Sequence, residues 1–366
     1  MNRRVIENFF LKGTDWLFRA TSPEALLLKV SGGILIAVFG GTPLIALILQ
    51  ILLGAVPEGY IAAQKMLNAL DILILVLCAL LFLVAVGLII QKRRAESNEK
   101  SRKHVVVVEG RGLRDDDGSA LDQVVAESFE GKITPILLDL RNRMDGKVIA
   151  PEQALDDIQA THRALLQHRK GLRSDLTTVY GGLTSVPYTF LTGLLLDDEG
   201  RIVTYDWDRS QETWRALDDV DDGASFVVSG ISDLSESEEV VVALAFSYPI
   251  ADTDLRSTFE HQVVKLTLDG MSSDSHWSQT KQSRLAQQFL EVIKEISAFG
   301  VKRIHLVMAA PNSAVFTFGR RYDKRNLPEL IVYQFERGSD RAYPWGILMP
   351  VSGVDRPHVL YSDGTP

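Results

Sequence analysis

Residues 305–322 read HLVMAAPNSAVFTFGRRY, and residues 329–337 read ELIVYQFER. The first stretch begins like a buried strand and then turns through Pro311 and small polar residues into a helical segment. The second stretch has a strand pattern that ends with a tyrosine, an aromatic residue and an acid before an arginine. Strands that alternate with helices in this way are typical of an α/β sheet with crossover connections.

The same order of features occurs earlier in the chain. Residues 181–196 read GGLTSVPYTFLTGLLL and lead to RIVTYDWDR at 201–209. We therefore predict two copies of one Rossmann-type α/β unit, at about 103–234 and 235–366, packed as a pseudo-dimer. The matched positions are Pro187 and Pro311, Gly193 and Gly319, and the pentapeptides 205–209 and 333–337.

The composition separates the first quarter of the chain from the rest. The 366 residues carry a net charge of −8 and a mean hydropathy of +0.06, and the apolar residues are concentrated before about Gln91. The negative charge argues against duplex nucleic acid as a partner, because such binding depends on neutralising phosphates. The single cysteine, Cys78, excludes a disulfide framework and a cysteine metal site.

An α-helical transmembrane hairpin is predicted over residues 29–91. Its two apolar runs, at about 30–56 and 69–90, each approach the ~20 residues that cross a bilayer core of ~30 Å. Lysines and arginines flank the hairpin on both sides, whereas the loop between the runs carries only Lys65. The positive-inside rule therefore places both termini and the soluble part in the cytoplasm.

Two polar segments flank this hairpin. Residues 1–28 mix aromatic and charged side chains, which favours either an amphipathic segment lying in the headgroup layer or a short cytoplasmic extension of the chain. Residues 92–102 are expected to form a basic linker. Within the first run, Gly33, Ala37 and Gly41 are four residues apart, a pattern that lets helices associate closely. Small residues are also common in membrane helices generally, so both interpretations stay open.

The paired strand–turn–helix segments indicate where a ligand would bind. Open α/β sheets bind ligands at the carboxyl ends of their strands. A helix N-terminus at that edge presents N–H groups that favour an anion such as phosphate. Two facing copies suit a ligand in which phosphates and bases repeat, for example a cyclic oligonucleotide.

The segments at 305–322 and 329–336, together with SYPIADTDL at 247–255, resemble the SAVED domain family. The resemblance covers about 104–366 and implies two fused CARF-like subdomains that sense a cyclic oligonucleotide in bacterial CBASS anti-phage defence. With the transmembrane hairpin in front, the whole chain resembles a two-transmembrane SAVED effector.

The resemblance also implies partners and a mode of action. A cGAS-like nucleotidyltransferase would make the messenger, a cyclic di- or trinucleotide, and the chain would form a homo-oligomer on binding it. The clustered helices would then disrupt the lipids of the bacterial inner membrane and cause abortive infection. No cofactor, metal or catalytic residue is expected.

Candidate ligand-binding residues lie in the two matched turns and at aromatic positions outside the strands. They are Arg111, Ser185, Pro187, Tyr188, Thr189, Tyr248, His276, Trp277, Pro311, Asn312, Ser313, Arg320 and Arg321. Each has a structural alternative, because hydroxyl and amide residues at helix starts are ordinary caps. Trp277 would equally serve as a hydrophobic staple, Tyr248 would close the core, and Arg111 would be a solvated loop charge.

Two other functions remain open at this point. A membrane-tethered Rossmann-like hydrolase or phosphodiesterase acting on nucleotides or lipids would need a catalytic constellation. The histidines are scattered without an HExxH spacing, and neither a GxSxG elbow nor a Walker loop is present in the sequence. Alternatively, the hairpin is only an anchor for a sensor that signals to a separate protein.

Overall fold

The computed structural model describes residues 29, 31, 33, 58–113, 120–144, 147–168, 175–196, 201–234, 237–323 and 325–364. The chain divides into two compact units, Met1–Lys100 and Ser101–Pro366. The predicted N-terminal segment 1–28 lies outside the described residues. So do the helix-association positions Ala37 and Gly41, and the first predicted span except for Ser31 and Gly33, which are helical.

The second predicted span lies within one long helix, α1 (Glu58–Arg102). Among the residues that the structure describes, the segment Val76–Ser97 of this helix is long and apolar enough to cross a membrane. Leu73 and Leu83 are each 65% exposed, as expected for side chains that face lipid. The residues predicted to form a basic linker, 92–102, are helical and continue α1 to its end.

The first α/β half contains a five-stranded sheet in the order β2-β1-β5-β6-β7. Its strands are β1 (His104–Arg111), β2 (Lys132–Asp139), β5 (Leu176–Leu183), β6 (Arg201–Asp208) and β7 (Thr213–Ala216). Its helices are α2 (Leu121–Ser128), α3 (Pro151–Gln167) and α4 (Val186–Leu195), and a short hairpin joins β3 (Arg143–Met144) to β4 (Lys147–Val148). Only β7 runs antiparallel in the sheet, and the apolar run of β1 is buried on both faces, as parallel strands usually are.

The second half contains a seven-stranded sheet in the order β14-β13-β12-β11-β9-β10-β8. The strands are β8 (Phe226–Ser229), β9 (Glu239–Ala245), β10 (Gln262–Leu268), β11 (Arg303–Ala309), β12 (Glu329–Gln334), β13 (Trp345–Leu348) and β14 (His358–Tyr361). The helices are α5 (Asp252–Thr258), α6 (Gln279–Ala298) and α7 (Asn312–Arg321). Strand β8 pairs with β10, so the second sheet begins before the predicted boundary at residue 235.

The parallel cores of the two halves have the same strand order. β2-β1-β5-β6 in the first half corresponds to β10-β9-β11-β12 in the second, and α4 corresponds to α7. The α/β fold class and the duplication are therefore confirmed. The antiparallel β7 corresponds to β13, and the second sheet differs from the first by two further edge strands, β8 and β14.

Helices α4 and α7 join the two halves through their matched glycines. A Cβ atom on Gly193 would lie 2.2 Å from the carbonyl oxygen of Phe316, and one on Gly319 would lie 2.3 Å from that of Phe190. Both distances are far below van der Waals contact, so any side chain at either glycine would push the helices apart. The ring of Phe316 stacks on Tyr180 of β5 at 3.7 Å, which extends the apolar contact between the halves.

Candidate ligand-binding site between the two halves

A side chain from each half caps the N-terminus of the interface helix, α4 or α7, of the other half. The side chain of Asp206, in β6, accepts a hydrogen bond from the backbone N–H of Ser313 at the start of α7 (3.0 Å). The side chain of Gln334, in β12, accepts one from the backbone N–H of Val186 at the start of α4 (3.1 Å). The first N–H groups of a helix have no intrahelical partner, so these reciprocal bonds satisfy donors at the interface.

Asn312 strengthens the same interface. Its Oδ1 atom accepts hydrogen bonds from the backbone N–H of Thr184 (3.2 Å) and from the hydroxyl of Thr189 (2.7 Å). Both donors belong to the first half, whereas Asn312 begins α7 in the second. A residue predicted to contact ligand thus holds the two halves together, although it is only partly buried.

Several other predicted ligand residues are buried in this interface. Tyr188, Thr189 and Ser313 are at most 1% exposed, and Ser185 is 4% exposed. Pro187 is also buried. The hydroxyl of Tyr188 donates to the backbone oxygen of Pro151 (3.2 Å). None of these five residues lines the large cavity between the halves, and Tyr188 instead borders a smaller pocket beside Asn142 and Asp157.

A cavity of about 920 Å³ opens between the two halves. The carboxyl ends of β5 and β6 line it from the first half, and those of β9 and β11 from the second, together with the loop before α6. The predicted residues that line it are Tyr248, His276, Trp277, Pro311 and Asn312. The fold therefore brings these five positions together at the carboxyl ends of the strands, where open α/β sheets bind ligands.

The aromatic residues of the cavity differ in exposure. Tyr248 is 56% exposed, so its ring is available to a ligand. Trp277 is only 7% exposed: the Arg215 guanidinium lies 4.6 Å from its ring centroid, and the His276 imidazole lies at 4.3 Å. Tyr248 is therefore better placed than Trp277 to stack on a base.

The predicted arginines lie away from the cavity. Arg111 pairs with Glu109 at 2.6 Å. Arg320 and Arg321 occupy the last turn of α7, beyond the matched turn to which the sequence analysis assigned them. A ten-residue helix is about 15 Å long, which separates them from the capped N-terminus. Arg321 donates two hydrogen bonds to the side chain of Gln287 instead.

Other cavity residues were not among the sequence candidates. Asp206, Asp208 and Arg209 belong to the pentapeptide that marked the repeat, and Ser247 follows β9. Arg209 is exposed and forms no ion pair with any residue that the structure describes. The hydroxyl of Ser247 is buried and has no hydrogen-bond partner in the described part of the chain. All four residues lie at or just after the end of a predicted strand, and this is the sequence feature that would have identified them.

Three of the four aspartate carboxylates that line the cavity, those of Asp206, Asp208 and Asp219, are bonded by other groups of the protein. Asp206 accepts a second hydrogen bond, from the Trp207 backbone N–H (2.8 Å). Asp208 accepts from the hydroxyl and backbone N–H of Ser210 and from the N–H of Gln211, and these bonds lower the pKa of its carboxyl group. Asp219 pairs with Arg215. Arg209 is consequently the cation best placed to meet an added anion.

Beneath the cavity, a buried polar network links the halves. Nε2 of His276 lies 3.6 Å from Asp206 Oδ2, and the Gln282 side chain donates to the His276 carbonyl and to the Ser313 hydroxyl, both at 2.8 Å. Burial lowers the pKa of the His276 imidazole and outweighs the opposing effect of Asp206. The network thus couples the cap of α7 to the loop that lines the cavity.

A family model described as the SMODS-associated and fused to various effectors sensor domain (SAVED) matches residues 157–349, which is more than half of the chain. The chain belongs to the SAVED family. A second model, the SAVED-fused 2TM effector domain, matches residues 3–155. The resemblance to two-transmembrane SAVED effectors is thereby confirmed, and the second match identifies the chain as membrane-anchored.

The boundary between the two family matches falls inside α3. Strands β1 and β2 therefore lie in the range matched by the effector model, although they belong to the first sheet. The cavity is lined entirely by residues within the SAVED match, from Leu183 to Asn312. The sensor part of the family thus contains the site.

Solved structures similar to this SAVED protein include two Cap4 SAVED/CARF-domain containing receptors. The Acinetobacter baumannii receptor with the cyclic trinucleotide 2'3'3'-cAAA has 13% identity and a TM-score of 0.46, covering 79% of this chain and 61% of its own. The Moraxella osloensis receptor has 13% identity and a TM-score of 0.42, covering 75% and 58%. This chain thus spans less than two thirds of either receptor. No curated protein sequence matches it.

Proposed function

We propose that this protein is a membrane-anchored effector whose SAVED domain binds a cyclic oligonucleotide in the cavity between its two halves. The observation that carries the proposal is that strand ends from both halves of a SAVED domain line one cavity of about 920 Å³. That volume lies within the ~300–1,000 Å³ of small-ligand sites. The messenger is a cyclic di- or trinucleotide, made by a cGAS-like nucleotidyltransferase in CBASS defence.

Three features of the cavity suit such a ligand. Tyr248 offers an exposed ring for a base, and Arg209 offers a cation for a phosphate. The buried Ser247 hydroxyl offers a hydrogen-bonding group that no described residue uses. A cyclic oligonucleotide carries both bases and phosphates within a small ring, so one ligand satisfies all three features.

The effector part acts on the membrane in this proposal. The hairpin sits in the bacterial inner membrane with both termini and the SAVED domain in the cytoplasm. Ligand binding drives homo-oligomerisation, which clusters the helices and disrupts the bilayer, giving abortive infection. Two helices are too few to enclose a pore, so assembly is required. The ligand leaves the site intact, without a cofactor or a catalytic step.

The test uses the full-length chain in detergent. A panel of cyclic di- and trinucleotides is titrated while binding, particle mass by light scattering and ligand integrity by chromatography are followed. We expect one messenger to bind, to remain intact and to convert small particles into large ones. Binding without a change in mass would refute assembly, and cleavage of the ligand would favour the hydrolase alternative.

A pair of aromatic variants tests the location of the site. Tyr248→Ala removes the exposed cavity ring, and loss of one base stack weakens binding roughly 5- to 150-fold. Phe335→Ala is the matched control, because Phe335 is 43% exposed but does not line the cavity. Equal affinity of the two variants for the messenger would place the ligand elsewhere.

A further inference from the structure

Three potential metal ligands lie close together at the amino ends of strands in the second sheet, at the end away from the cavity. Glu239 begins β9, His261 directly precedes β10, and His305 lies near the start of β11. Nε2 of His305 lies 2.9 Å from Glu239 Oε2, and Nε2 of His261 lies 3.7 Å from the same atom. One ligand atom from each residue lies within 4.8 Å of the others.

We propose that Glu239, His261 and His305 bind a divalent transition-metal ion, with zinc as the best-fitting ion. Two imidazole nitrogens and one carboxylate oxygen form a known zinc ligand set, in which water takes the fourth position. Imidazole ligands select zinc, copper or nickel over magnesium and calcium, which prefer oxygen. The ion would tie together the starts of three neighbouring parallel strands.

The distances require only small movements of side chains. Tetrahedral zinc with bonds of ~2.1 Å places its ligand atoms about 3.4 Å apart. The two contacts with Glu239, at 2.9 and 3.7 Å, lie on either side of this value. His261 is exposed, so its ring is free to rotate toward His305, on which it now stacks with ring centroids 4.8 Å apart.

The groups behind the three ligands are those expected around a metal. Nδ1 of His305 is 2.9 Å from the hydroxyl of Tyr333, which accepts a hydrogen bond from Nδ1–H when Nε2 binds an ion. Arg303 donates to Glu239 Oε1 (3.2 Å), leaving Oε2 directed at both histidines. The charge of Arg303 is shared with Glu329, to which it donates at 2.8 Å.

The solvent-exposed side of this cluster leaves one coordination position open and gives a metal ion a path of entry. His305 is 7% exposed and held in place, whereas His261 lies at the surface. A water molecule can therefore complete the coordination from the solvent side. The seven-residue β9 separates this cluster from the cavity by about 20 Å. Metal binding and nucleotide binding can thus be tested independently.

The test titrates the tag-free, full-length chain in detergent with Co²⁺ after treatment with a chelator. Visible absorption reports tetrahedral coordination, and Zn²⁺ then displaces the cobalt. We expect one equivalent to bind. His261→Ala and Glu239→Gln should each weaken binding at least tenfold, and Tyr333→Phe should weaken it roughly 10- to 100-fold. His358→Ala removes an exposed histidine whose ring nitrogen Nδ1 bonds to the neighbouring Pro357 carbonyl, and it should leave binding unchanged.

Two results would overturn the proposal. One is the absence of a cobalt spectrum and of zinc binding in the wild-type chain. The other is binding that survives His261→Ala and Glu239→Gln undiminished, which would place the ion elsewhere. Glu239→Gln keeps the size of the side chain, so thermal melting of this variant without metal separates loss of ligation from loss of folding.

Discussion

The two halves of the soluble unit share a framework but differ at the ends of their equivalent strands. In the first half, β6 ends in Asp206 and Asp208, which line the cavity. In the second half, Gln334 repeats the helix-capping role of Asp206. Glu336, the counterpart of Asp208, is instead bonded by the Trp345 indole (2.9 Å) and by the Val148 backbone N–H (3.4 Å).

The helix caps and the glycine contacts are the same in both halves, whereas the strand ends differ. The capping geometry and the glycine contacts are kept, because the close approach of α4 and α7 leaves no room for alternatives. The strand ends differ although β7 and β13 pair in the same way with β6 and β12. Trp345 of β13 donates to Glu336, whereas Asp208, the counterpart of Glu336, lines the cavity.

The largest effect is expected from Trp345→Ala. This change removes a nearly fully buried side chain and leaves the buried Glu336 without its indole donor. Large-to-small changes of this type destabilise by about 3–5 kcal/mol. Chemical denaturation followed by circular dichroism measures the loss. A small effect would mean that Glu336 does not depend on the Trp345 indole, and the contrast between the halves would weaken.

Next come the matched glycines. Gly193→Ala and Gly319→Ala each place a Cβ against a backbone oxygen of the opposite helix, and overpacking of this type costs about 1–3 kcal/mol. Because the two contacts are equivalent, the two losses should agree. Arg321→Ala, at an exposed position of α7, should change stability by less than about 0.5 kcal/mol. Clearly unequal losses at the two glycines would break the pseudo-symmetry.

The two caps should differ in strength. Asp206→Ala strips a buried helix N–H of a charged acceptor, and Gln334→Ala removes a neutral acceptor from a partly buried one. Unsatisfied buried donors cost about 1–3 kcal/mol, and a carboxylate at a helix N-terminus adds dipole stabilisation. We expect the Asp206 variant to lose more free energy of unfolding. Asp206→Asn, which keeps an acceptor, should recover part of the loss.

The smallest effect concerns pH. Since burial lowers the pKa of His276, the unfolded chain binds a proton near pH 6.5 that the folded chain resists. The contribution of His276 to stability is therefore complete above pH 6.5 and declines as the pH falls below it. His276→Asn should reduce this decline by up to about 1.4 kcal/mol per pH unit. Unfolding curves of both proteins between pH 7 and 5 measure the difference, and parallel declines would contradict the prediction.

The sequence alone predicted the duplicated α/β fold and matched Gly193 with Gly319, but it did not assign these glycines to the contact between the halves. Apolar strand runs, proline turns and matched glycines are local features, and each constrains the backbone wherever it occurs. It also predicted Tyr248, His276 and Trp277, which the fold brings to one cavity. The long apolar run within α1 was also predictable from the sequence, because the thickness of a bilayer sets the length that a membrane-spanning helix needs.

Only the tertiary structure decided which polar residues face the cavity and which face the other half. Ser313 and Asp206 are 107 positions apart in the sequence, and Glu239 and His305 are 66 apart. Nothing local specifies such a partner: a polar side chain in a turn serves equally well as a cap or as a ligand contact. The packing of α4 on α7 makes this choice, because it buries Thr189 and Ser313 and leaves the strand ends beside them open.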